Sequence, residues 1–261
     1  MPPHFSLLVR PSSRGFFLPL LLSCAGVLAL SGCAGQKTTQ TGFIAPQTYA
    51  QMVHPKGHTD DLVYVAPGLQ PGAYRYAVIA PVLWHPVNKA PVLKPEIQAR
   101  MTEAFESELR KTLGEDFKIL PASPLVTAPS GPFSAGNFPP GTLRISAAIT
   151  NLRRSKWYYN ALPIVAGFAA GAAGGGLPPI PPPAPGGASE ELLATDAMTG
   201  APVLAIATYN NGMPWNMVGQ WLPYAHARRA FHLAALLMKE EVHKTGLASA
   251  SPAQPSWKSP T

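Results

Sequence analysis

Cysteine is nearly absent: the 261 residues hold two, Cys24 and Cys33. Charge is scarce, at 13% of residues, and the basic residues form no dense stripe of the kind nucleic-acid binders carry, so no nucleic-acid partner is expected. Catalytic signatures are missing too: there is no G-x-S-x-G elbow, no phosphate-binding loop and no H-E-x-x-H pair. The apolar run Phe16 to Leu30 stops short of the about 20 residues a spanning helix needs, and Pro19 and Gly26 weaken it further.

That run has another use. Arg10 and Arg14 precede it and the small residues Ser31 and Gly32 follow it, the three-part layout of an export signal. Leu30-Ser31-Gly32-Cys33 resembles the lipobox of bacterial lipoproteins, in which the chain is cut between Gly32 and Cys33 and the sulfur carries a diacylglycerol. The resemblance implies that residues 1–32 are a signal peptide and that Cys33 attaches the mature chain to a membrane. Each buried CH₂ contributes about 0.8 kcal/mol, so several acyl chains hold a protein without a spanning helix. Ala34 stands where aspartate would direct inner-membrane retention, so the outer membrane facing the periplasm is the expected location. With Cys24 discarded and Cys33 lipidated, no disulfide and no nucleophilic thiol remain. Loss of the two arginines lowers the net charge from +7 to +5, a mild excess that suits an anionic lipid surface.

Residues 33–55 read as lipid anchor and tether, with Phe43 to Val53 partly helical within the limit set by Pro46, and 56–246 as one α+β domain. Leu62 to Val65 is a short β run, and Tyr74 to Val82 alternates as a strand. Pro95 opens a helix whose Ile97, Met101, Ala104, Phe105, Leu109 and Leu113 recur at helical spacing, and Gly114 ends it. Phe117 to Leu120 is a further strand. Leu143 to Leu152 alternates cleanly, with Leu143, Ile145, Ala147 and Ile149 inward and Arg144, Ser146, Ala148 and Thr150 outward, which predicts a sheet covered on one face. Glu190 to Ala197 and Pro202 to Tyr209 flank Met198-Thr199-Gly200 as a hairpin. A last helix runs from about Pro223 to His243 with Ala227, Phe231, Ala234, Met238 and Val242 as its core stripe; Gly246 stops it, and 247–261 is a disordered tail. The sum is a two-layer sandwich: a mixed or antiparallel sheet with two main helices on one face.

The order of these elements resembles the bacterial lipoproteins grouped as domain of unknown function 3313, from about Gly42 to His243. The residues that carry the resemblance are Asp61 to Val65 followed by Tyr74 to Pro81, the helix Ile97 to Leu113 leading to Phe117-Lys118-Ile119, then Gly141 to Ile145, and the turn Asp196 to Gly200. The chain departs from that pattern at the Gly/Pro-rich insertion, about 161–187. The resemblance implies the anchor and the fold but supplies no catalytic residue and no cofactor. The layout is also similar to small α/β domains of envelope lipoproteins that serve as accessory parts of transport or secretion assemblies.

Two stretches are candidates for contact with a membrane or a protein partner in the envelope. Arg153, Arg154 and Lys156 precede Trp157 and its following tyrosines, combining cations with rings that favour a headgroup boundary; the plainer reading is a solvated strand end. Gly167 and Gly171 belong to a small-residue seam of the kind that lets helices approach closely in lipid, although Pro163 and Gly174 to Gly176 oppose a stable helix there and favour a flexible insertion. His54, His58, Asp60 and Asp61 form the loop on which a metal-dependent hydrolase would be built, against the simpler reading of a solvated loop. Glu190 and Glu191 are adjacent on a strand and so face opposite ways. The sequence therefore predicts a non-catalytic binding or accessory protein of the cell envelope, with a metal hydrolase or a carrier of lipid or another small ligand as the alternatives.

Overall fold

The structure, a computed structural model, describes residues 40–87, 90–122, 138–156, 172, 186–211 and 222–248. Gly32, Cys33, Trp157, Gly167 and Gly171 lie outside these residues, as do most of the Gly/Pro-rich insertion and the tail beyond 248.

The elements in chain order are α1 (Pro46–Tyr49), β1 (Leu62–Val65), β2 (Tyr76–Ile79), β3 (Leu83–Trp84), α2 (Pro95–Leu113), β4 (Lys118–Leu120), β5 (Thr142–Arg153), β6 (Gly187–Asp196), β7 (Pro202–Asn211) and α3 (Ala225–Thr245). The strands form one sheet in the order β1-β7-β6-β5-β2-β4, with β3 also paired to β5. From β1 to β5 all neighbours are antiparallel, and β5, β2 and β4 run parallel. The mixed sheet of an α+β fold follows from two kinds of connection. A short turn reverses the chain between β6 and β7, whereas β2 reaches its parallel neighbour β4 through the whole length of α2.

The stretch Tyr74 to Val82 is shorter as a strand than its alternation predicts. Pro81 has no N–H for the ladder, and the pairing with β5 passes from Ile79–Ile145 to Leu83–Ala148 with one extra residue on this side. The result is β2, a bulge, and β3. At the hairpin, Asp196 Oδ1 accepts the amide hydrogens of Met198 and Thr199 at 2.9 and 2.8 Å, and Gly200 takes φ 74°. That is the turn its sequence predicts.

Both long helices cover one face. Met101, Phe105, Leu109 and Leu113 of α2 and Ala227, Phe231, Ala234, Met238 and Val242 of α3 join Ile79, Leu143, Ile145, Leu192 and Ile206 in one core. Phe105 and Phe231 stack at 4.9 Å and bind the helices to each other. Outside that seam, His232 pairs with Glu108 at 2.6 Å and His243 with Asp116 at 2.7 Å. Lys239 pairs with Glu115. Gly246, at φ 64°, ends α3 in the left-handed conformation, and the Leu247 amide bonds back to the Val242 carbonyl at 3.1 Å.

The second face is also covered, where alternation predicts solvent. Arg144, Ser146 and Thr150 of β5 are all buried. Over β1, β6 and β7 the cover is the stretch after Gln40, read from the sequence as the end of the tether. Ile44 and Met52 pack with Tyr64, Ala205 and Ala207, and Val53 and Val63 exchange backbone hydrogen bonds. Nearer β4, Phe138, Leu120 and Ala122 pack against Val78 and Ala80. Among the described residues the packed body therefore reaches back to Thr41, before the boundary at residue 56 that composition indicates. Among the described residues no helix is long and apolar enough to cross a membrane.

Candidate functional site

The two glutamates of β6 face opposite sides of the sheet, as adjacent strand residues must. Glu191 faces the second layer, where its carboxylate accepts the Thr41 hydroxyl at 2.9 Å, the Ile44 amide at 3.2 Å and the Thr41 amide at 3.3 Å. His85 Nε2 lies 3.2 Å from the Thr41 carbonyl and completes the hold on this segment. Burial raises the Glu191 carboxyl above its ordinary range, and the hydrogen bonds from Thr41 and Ile44 only partly offset it. Glu190 faces the helices. It is fully buried, and neither carboxylate oxygen has a hydrogen-bond partner. Desolvation raises its pKa well above 4.5, against the opposing pull of Arg153 and with a smaller push from Asp61.

The expected contact cluster divides. Arg153 turns inward: Nη2 donates to the Ala188 and Asn210 carbonyls at 3.3 and 3.2 Å, and Nη1 lies 3.5 Å from Ser189 Oγ. Arg154 and Lys156 are exposed. In the loop with histidines, His58 Nδ1 pairs with Asp61 Oδ2 at 2.8 Å, while Asp61 Oδ1 accepts the Thr208 hydroxyl. His54 Nδ1 donates to the Asp61 carbonyl at 2.7 Å. Among the described residues no three His, Cys, Asp or Glu side chains gather as a metal site. His226, in the first turn of α3, is buried with neither ring nitrogen partnered, and burial lowers its pKa.

A concave site forms where α2 and α3 begin. The Val87 amide bonds to the Thr150 carbonyl at 2.9 Å, which brings the chain ahead of α2 alongside the end of β5. Ser155 N–H donates to the Pro223 carbonyl at 2.9 Å, which fixes the entry to α3 at the same place. Gln98 Nε2 holds the Leu93 carbonyl at 3.0 Å. The resulting groove, of about 660 Å³, is lined by Val92, Leu93, Lys94, Ile97, Arg100, Met101, Arg154, Leu222, Pro223, Tyr224, Ala225 and Arg228. Of the residues singled out from the sequence it takes in Arg154. Lys94 and Arg100 lie far in the chain from Arg154 and Arg228, so only the fold reveals the four as a group.

No curated protein matches the chain. Among solved structures it is similar to the PelC dodecamer from Paraburkholderia phytofirmans, at 12% identity and TM-score 0.36, covering 67% of this chain and 95% of that one. It is also similar to the hypothetical protein CT253 from Chlamydia trachomatis, at 12% identity and TM-score 0.33, covering 68% of this chain and 100% of that one. The family model DUF3313, described as a protein of unknown function, matches residues 39–237, and the chain belongs to that family.

Proposed function

We propose that this protein is exported, cut before Cys33 and held by acyl chains on that sulfur at the outer membrane, where its α+β body is a non-catalytic binding component of the cell envelope. The observation that carries the reading is the hold of Glu191 on Thr41 and Ile44. Thr41, the first residue so held, stands eight residues after Cys33 in the sequence, and eight residues span under about 30 Å even when fully extended. A body so close to its anchor works at the membrane surface. Glu190 and His226, both sealed from solvent, are closed to the role of a general base, which must reach its substrate.

Envelope fractionation of the wild type beside Cys33→Ala tests the anchor: the wild type is expected in the outer-membrane fraction, and the variant is expected to remain as uncleaved precursor. Wild type recovered from culture fluid would overturn it. In-cell crosslinking of the body tests the binding role, with capture of an envelope lipid or protein as the expected result; turnover of a chemical substrate by the purified body would contradict it.

A further inference from the structure

We propose that the groove at the start of α2 and α3 binds an anionic phospholipid. The proposal rests on the envelope reading above and names the component that the body binds. Lys94, Arg100, Arg154 and Arg228 bring positive charge to the lining, and no carboxylate lies among the described lining residues. None of the four makes an ion pair with another described residue. Glu96 and Glu103 belong to α2 but stay outside the lining. Unpaired guanidinium groups converging on one cavity match a phosphate diester, which guanidinium can bind through two parallel hydrogen bonds.

The rest of the lining is apolar, which a soluble phosphate does not require. Val92 is 100% exposed and Leu222 57% exposed, beside the fully buried Met101 and the half-buried Leu93, Ile97 and Tyr224. An apolar floor beside four cations fits a ligand with an acyl chain behind an anionic head. The volume of about 660 Å³ lies within the range of about 300–1,000 Å³ typical of small-molecule sites.

The test is native mass spectrometry of the full chain extracted from membranes in detergent and titrated with phosphatidylglycerol, phosphatidylcholine or glycerol 3-phosphate. The wild type is expected to retain one phosphatidylglycerol and to hold phosphatidylcholine about tenfold more weakly or worse. The variant Arg100→Glu/Arg228→Glu is expected to lose phosphatidylglycerol by about tenfold or more, and Leu222→Asp to lose it with the cations intact. The charge-matched control Lys111→Glu/Lys118→Glu, on exposed residues outside the groove, is expected to bind as the wild type does. Circular-dichroism melting verifies that each variant is folded. Equal retention of both lipids, groove variants that bind like the control, or displacement by glycerol 3-phosphate at equal concentration would each overturn the proposal. A bare Cys33 in the same spectra would refute the anchor and leave the groove result to be judged separately.

Discussion

Glu190 carries a carboxyl group in the core with no hydrogen-bond partner, a residue-scale cost that depends on pH. Arg153 is the cation that acts on it, yet its guanidinium is bonded to backbone carbonyls. Burial therefore dominates, and the folded state keeps the proton at pH values where the unfolded chain has released it. The contribution of this group to stability is full below about 4.5 and falls as pH rises toward the elevated folded value. Glu190→Met should raise stability at neutral pH by about 1–3 kcal/mol and flatten the rise in melting temperature expected of the wild type on acidification from about pH 7.5 to pH 5. Scanning calorimetry across that range checks this, and parallel curves for the two proteins would contradict it. Gly187 provides a second residue-scale expectation. Its φ is 138°, and a Cβ there would lie 2.1 Å from the Asn210 carbonyl oxygen. Gly187→Ala should cost about 3 kcal/mol or more, read by urea unfolding; a loss under about 1 kcal/mol would show that β6 and β7 can separate to admit it.

At the scale of elements, α1 and the residues before it complete the second layer. Glu191→Ala removes the acceptor for Thr41 and Ile44 and should cost about 1–3 kcal/mol. Amide exchange in residues 41–53 should accelerate while β5 and β6 stay protected; unchanged exchange would mean that Ile44 and Met52 hold the segment by packing alone. The sequence made the helices legible because Met101, Phe105, Leu109 and Ala227, Phe231, Ala234 repeat at the helical period. It made the Asp196 to Gly200 turn legible because both residue types are demanded by that backbone. The second layer was not legible. Arg144, Ser146 and Thr150 are polar, so their side of β5 reads as wet, and a segment rich in Thr, Gln and Pro reads as tether until Glu191 is seen to bind it. The bulge at Pro81 was hidden for a related reason: alternation fixes the face of a residue, whereas pairing fixes where a strand breaks.

For the whole molecule, charge placement matters more than net charge. The chain is only mildly basic, yet four of its cations meet at the start of two helices whose N-terminal ends are themselves partly positive. Nothing in the local sequence around Lys94, Arg100, Arg154 or Arg228 reveals that meeting, because it depends on β5 ending where α2 and α3 begin. Binding that depends on these charges should weaken as salt rises from about 0.05 to about 0.5 M, measured by the same lipid titration; insensitivity to salt would assign the contact to the apolar floor alone.

We propose that acyl chains on Cys33 keep this body at the membrane, and intact-mass spectrometry of the wild-type protein extracted from membranes decides it. The expected species lacks residues 1–32 and carries a diacylglycerol-modified Cys33. A chain with an unmodified Cys33, or one that begins elsewhere, would contradict it.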